Sequence, residues 1–160
     1  MKGIRSVLVD NSFCIRLLKA DDEYHQNTVD YLEYFLENNI EIYLSTIVVG
    51  EYAVGDNPDH LLSLNVFKLL EYDYLDAKIS GDFTSELIHN KELRELEQRQ
   101  IVINDIKLFA QIKNRGIDAY ITKDRKSLDK MIKHLKKSHS FQVEFIDLSI
   151  SLNDKLGRLF

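Results

Sequence analysis

Short apolar, β-branched runs recur along this chain, and stretches of helical period separate them. Residues 4–9 (IRSVLV), 40–44 (IEIYL), 117–121 (IDAYI) and 142–146 (QVEFI) are too short for stable helices and suit a buried strand. Residues 12–19 read as a short helix. Across 22–38, Tyr24, Thr28, Tyr31, Leu32, Phe35 and Leu36 recur at helical spacing, with Asp21 or Asp22 as the expected N-cap. The stretch TIVVGEYAVG follows the second strand and fits a helix opened by Ser45 or Thr46. After the Asp56-Asn57-Pro58 break, helices are expected over 60–70, 76–90 and 101–115, the last ending at Gly116. A short strand is expected at 72–74, a charged helical stretch at 91–100 and a basic helix at 125–137. Strands separated by helices imply a parallel sheet with helices on both faces.

A chain of 160 residues suits one domain with a single core. No internal repeat or low-complexity segment divides it. Residues 148–160 form a partly apolar tail that packs on the domain or dimerises. Cys14 is the only cysteine, which excludes an internal disulfide, argues against a cysteine metal site and fits a cytoplasmic location. No apolar stretch is long enough to span a membrane, and MKGIRSVLVD lacks the apolar core of a signal peptide. The net charge is 21 − 26 = −5, which disfavours polyanions except locally. Lys123, Arg125, Lys126, Lys130, Lys133, Lys136 and Lys137 make one basic patch, either a solvated helix face or a phosphate-binding surface.

Ligands of an open parallel sheet bind outside the carboxyl ends of its strands. Asp10 directly follows the first strand, and Asp124 follows 119–121 after Thr122 and Lys123. Glu51 lies about one and a half turns past Thr46, and Asp105 opens the helix leading into the strand at 117. Helices entering at one rim can bring all four together. Four carboxylates in one cleft repel one another unless a cation lies between them. Mg²⁺ or Mn²⁺, hard ions that prefer oxygen ligands, is the natural answer. Such a site activates water against a phosphodiester without a histidine base. The five histidines show no ligand spacing.

VLVDNS (7–12), STIVVGEY (45–52) and INDIKLFAQIKNRGIDAYITKD (103–124), which closes on Thr122-Lys123-Asp124, occur in that order. At these positions the chain resembles the PIN-domain family of metal-dependent nucleases. The resemblance implies a three-layer α/β/α sandwich around a parallel sheet. It also implies an endoribonuclease using Mg²⁺ or Mn²⁺, with Asp10, Glu51, Asp105 and Asp124 as its acidic residues. Small members of the family look like the toxin half of toxin–antitoxin pairs, so an antitoxin partner and a homodimer are expected beside the RNA substrate. Asn11, Ser12 and Thr122 would support the metal ligands, and Lys123, Arg125 and Lys126 would flank the cleft and hold phosphates. The chain departs from the family in carrying Asn11 where Thr or Ser often follows the first aspartate.

Taken singly, each acid has a plainer reading. Asp10 closes a strand, Glu51 sits on a helix surface, and Asp105 and Asp124 favour helix starts. Their convergence at one rim is what separates the readings. Two other functions compete. A non-catalytic RNA- or protein-binding module would keep the fold without the chemistry. A phosphorylated receiver domain would need an acceptor aspartate after a central strand, and no such strand ends near residues 50–60. A haloacid-type phosphatase fits less well, because Asp10-Asn11-Ser12 lacks a second aspartate two residues on.

Overall fold

The computed structural model describes residues 1–89, 101–139 and 141–157, with the side chains of 101, 102, 126, 127, 130, 138 and 139 outside that description. Its strands are β1 (Ser6–Val9), β2 (Glu41–Ser45), β3 (Lys68–Leu70), β4 (Ala119–Thr122) and β5 (Glu144–Asp147). They form one sheet in the order β3-β2-β1-β4-β5, and every pairing is parallel. The helices are α1 (Asn11–Leu18), α2 (His25–Glu37), α3 (Thr46–Tyr52), α4 (Asp59–Leu62), α5 (Tyr74–Ile88), α6 (Ile101–Arg115), α7 (Arg125–His139) and α8 (Leu152–Leu156). The architecture is the three-layer α/β/α sandwich expected.

β1 is the centre of the sheet. Val7, Leu8 and Val9 are all fully buried, so helices cover both faces and the strand needs no polar alternation. The chain runs outward from β1 through β2 and β3, then returns to place β4 and β5 on the other side. The reversal falls between β1 and β4, where the carboxyl ends of two strands leave a crevice. Two helices start directly at this rim. Asp10 is extended and caps α1 by accepting from the Phe13 N–H, and Ser45 caps α3 by accepting from the Ile47 N–H. Under the β4–β5 half, Phe109 meets Tyr120, Phe141 and Phe145 at ring-centroid distances of 5.6, 6.1 and 5.9 Å. Those edge-on and tilted contacts fix α6 against the sheet.

Several boundaries differ from the sequence reading. The helix expected over 60–70 is only α4, because Asn65 adopts a left-handed backbone (φ 58°) and turns the chain. Residues 68–70 then pair with β2 as the edge strand, which puts the strand expected at 72–74 too late. Asp73 instead opens α5 in a capping box with Asp76. Asp22 does not cap α2: its carboxylate accepts from the Tyr24 N–H in a turn, and the helix begins at His25. The helix containing Asp105 already runs from Ile101, so this acid sits inside it rather than opening it. The charged stretch at 91–100 lies outside the described residues.

The tail through Gly157 packs on its own domain. Tyr31 Oη donates to the Ile150 carbonyl at 2.9 Å, Asn27 Nδ2 donates to the Leu148 carbonyl at 3.2 Å, and Lys155 pairs with Glu144 at 3.1 Å. Among the described residues no helix is long and apolar enough to cross a membrane.

Candidate active site

At the crevice between β1 and β4 lies a cleft of about 270 Å³, and Asp10, Glu51, Asp105 and Asp124 all line it. Each arrives from a different element. Asp10 is the residue after β1, Glu51 lies in the last turn of α3, Asp105 in α6, and Asp124 between β4 and α7. Asn11, Ser12, Arg16 and Asn104 complete the polar part of the wall.

Asp10 is held on every side. Its Oδ1 accepts from Ser12 Oγ at 2.5 Å and from the Phe13 N–H at 3.0 Å, and its Oδ2 accepts from Thr122 Oγ1 at 2.6 Å. Both hydroxyls are themselves fixed. Ser12 Oγ accepts from the Lys123 N–H and Thr122 Oγ1 from the Asp124 N–H, each at 3.0 Å. These bonds stitch the end of β1 to the end of β4 through one carboxylate. Asp10 is only 8% exposed. Burial pushes its carboxyl above the ordinary range, and the hydroxyl and N–H donors only partly offset that.

Glu51 is also raised, first by burial and then by Asp10, against a hydrogen bond from Asn104. Asp105 is raised as well. Burial, then the charges of Asp10, Glu51 and Asp124, pushes it up to about 8. Its Oδ2 is buried without a hydrogen-bond donor, and so is Asn11 Oδ1. Two buried acceptor oxygens without donors, in a cleft with four acids, suit an oxygen-seeking cation. Among the described residues, no three His, Cys, Asp or Glu side chains cluster closely enough to form a ready-made cage. Mg²⁺ needs none, since it keeps several waters and takes one or two carboxylates directly. The residues therefore fit a hydrated divalent ion better than a dehydrated one.

The raised acids set a pH dependence of stability. Asp105 has an ordinary value of 3.8 and about 8 when folded, so the folded state binds the proton more tightly. Without divalent ions, stability falls as pH rises across that window, and Asp10 and Glu51 act with the same sign. Melting temperatures in chelator should drop from about pH 5 to about pH 8, and the drop should shrink in Asp105→Asn. Equal drops in both proteins would contradict the assignment.

No protein-family model matches the sequence, and no curated protein matches it either. Solved structures do. A chain of VapBC2 from Rickettsia felis, bound to a DNA fragment from its promoter, aligns with a TM-score of 0.61 and 16% identity. The alignment covers 89% of this chain and 99% of that one. DNA-bound VapBC from Salmonella typhimurium aligns at 0.60 and 17%, over 91% and 99% of the two chains. VapC20 of Mycobacterium tuberculosis, a sarcin-ricin loop cleaving toxin, aligns at 0.53 and 16%, over 78% and 94%. VapC toxins are PIN-domain proteins. This chain has the PIN-domain fold. Within that PIN fold, the acids of the sequence reading occupy the rim where the sheet reverses.

The remaining candidates divide. Ser12 and Thr122 both hold Asp10, and Asn11 lines the cleft with its side-chain oxygen unpartnered. Lys123 and Arg125 are not in the lining. The Lys123 ammonium lies over the Tyr24 ring, 5.4 Å from its centroid, and Arg125 pairs with Asp129 at 3.8 Å. The side chain of Lys126 lies outside the described residues. Arg16 and Asn104 line the cleft and were missed by the sequence reading. Arg16 carried a usable signal, since it stands one turn after Ser12 on the same helix face. Asn104 gave none, because its role depends on where Glu51 falls. Cys14 is buried in the core, and burial together with Asp10 raises its thiol far from a reactive state.

Proposed function

We propose that this cleft hydrolyses RNA phosphodiesters, with Mg²⁺ or Mn²⁺ held by Asp10, Asp105 and Asp124 and with Glu51 acting through water. The convergence of four acids at one rim, with a buried and donorless Asp105 oxygen among them, supports this reading most. The bound ion would supply an activated water and offset charge growing on the phosphodiester. The chain supplies the arrangement. Ser12 and Thr122 fix both oxygens of Asp10, which orients its remaining lone pairs into the cleft. Asn104 hydrogen-bonds Glu51, the acid assigned in this reading to ordering a water. The PIN-like neighbours point the same way, since one is a sarcin-ricin loop cleaving toxin and others are toxin–antitoxin complexes. An RNA substrate, an antitoxin partner, a homodimer and a cytoplasmic location belong to this reading.

A non-catalytic binding module is the second reading, favoured by the looseness of the acid cluster. RNA cleavage decides between them. Purified protein incubated with a total RNA pool should yield discrete fragments with Mn²⁺ or Mg²⁺ and none with chelator. No cleavage of any RNA, together with no Mn²⁺ binding by calorimetry, would leave only the binding module.

A further inference from the structure

The cleft is lined by four acids, yet its proposed substrate is a polyanion. Among the described residues, one cation stands in the lining, Arg16. Its position is built rather than accidental. Arg16 Nη1 donates to the Ser12 carbonyl at 2.9 Å, and Nε lies 3.4 Å from Asp22 Oδ1. Asp22 is in turn fixed by the Tyr24 N–H at 2.9 Å, and the Arg16 carbonyl is hydrogen-bonded by His25 Nδ1 at 2.7 Å. The guanidinium is thus ordered before any ligand arrives, and its side chain is 15% exposed. Nη2 has no hydrogen bond within the described residues, which leaves donors available on a rigid fork of a cleft-lining residue. A pre-ordered guanidinium loses less conformational freedom on binding than a surface lysine does.

Resting on the nuclease reading, we infer that Arg16 is the phosphate-binding cation of the cleft and seats the RNA backbone beside the acids. The same loop holds a second cation. Tyr24, which fixes Asp22, carries the Lys123 ammonium over its ring. Arg16 thereby joins Lys123, Arg125 and Lys126, the residues from which sequence reasoning expected phosphate contacts.

The test compares Arg16→Gln, Arg16→Lys and Asp22→Asn with the wild type, in Mn²⁺-dependent cleavage of a single-stranded RNA oligonucleotide and in its salt dependence. Arg16→Gln should raise KM about tenfold or more with kcat within about twofold, because a charge-assisted, two-point contact is lost. Its log–log salt slope should shrink by about 0.7, one phosphate contact to a single strand. Arg16→Lys should recover part of the KM, since the charge remains without the fork. Asp22→Asn separates binding from scaffolding. It removes part of the ordering of Arg16 but spares the guanidinium, so KM should rise by much less than in Arg16→Gln. If Asp22→Asn raises KM as much as Arg16→Gln does, Arg16 is only a structural tie and the inference is overturned. An unchanged KM and salt slope in a folded Arg16→Gln overturns it too, while wild-type cleavage leaves the nuclease reading intact. A wild type that neither cleaves nor binds the oligonucleotide overturns both.

Discussion

Replacing Asp10 by Asn is expected to lower divalent-dependent RNA cleavage about a thousand-fold, a loss of about 4 kcal/mol of transition-state stabilisation. The fold should survive. Asn is as good an N-cap as Asp, so the bond from the Phe13 N–H to the side-chain oxygen is kept. Ser12 can still donate to that oxygen. Thr122 Oγ1 now donates to Asp10 Oδ2 and accepts from the Asp124 N–H. In the variant it can accept from the new amide as well, because a hydroxyl has two lone pairs. Only the charge is lost, and with it the strongest attraction for a divalent ion. Circular dichroism should match the wild type and the melting temperature in chelator should be no lower, while cleavage disappears. Full activity in a purified, nuclease-free Asp10→Asn preparation would refute the role of this acid.

The largest effect on stability is expected far from the cleft, at Asp76. This carboxylate is 0% exposed and ties two helices together. Oδ1 accepts from Asn114 Nδ2 at 2.8 Å, and Oδ2 accepts from the Asp73 N–H at 2.9 Å and from Arg115 Nη2 at 3.2 Å. It therefore joins the start of α5 to the end of α6, the helix that carries Asn104 and Asp105. Asp76→Ala strands an amide, a backbone N–H and part of a guanidinium charge. Breaking one side of a buried ion pair costs about 3–5 kcal/mol. Arg115 keeps its contact to Asp73 at 3.0 Å and is partly exposed, which places the expected loss near the lower end. Urea unfolding should show that loss as a lower midpoint with a similar slope. A change of less than about 1 kcal/mol would mean that the network contributes only as a surface pair does.

The contrast between these two sites explains what was legible in the sequence. Asp10 and Asp124 could be read because a strand end is a fixed address. An apolar run stops, the next residue stands at the rim, and sheet topology supplies the rest. Glu51 followed from counting turns after Thr46. Asp105 was placed at the right rim for a partly wrong reason, since the helix starts before it and the rim is reached from within α6. The edge strand was lost because residues 61–70 mix helical and strand signals, and the left-handed Asn65 that separates them has no mark beyond its residue type. The Asp76 network was invisible for another reason. Its partners are 38 and 39 residues away, and no local period links Asp76 to Asn114 and Arg115. Arg16 in the cleft wall was missed, and Lys123 was expected beside the cleft but lies over Tyr24, because position along the chain shows proximity to Asp124, not the direction a side chain takes.

Anomalous diffraction from a crystal soaked in Mn²⁺ locates the ion without relying on activity. The account predicts a peak in the cleft with Asp10 and at least one of Asp105 and Asp124 in its coordination sphere, and with Glu51 behind a water. A well-occupied peak elsewhere on the surface, with these four acids bare of metal at saturating Mn²⁺, would contradict it.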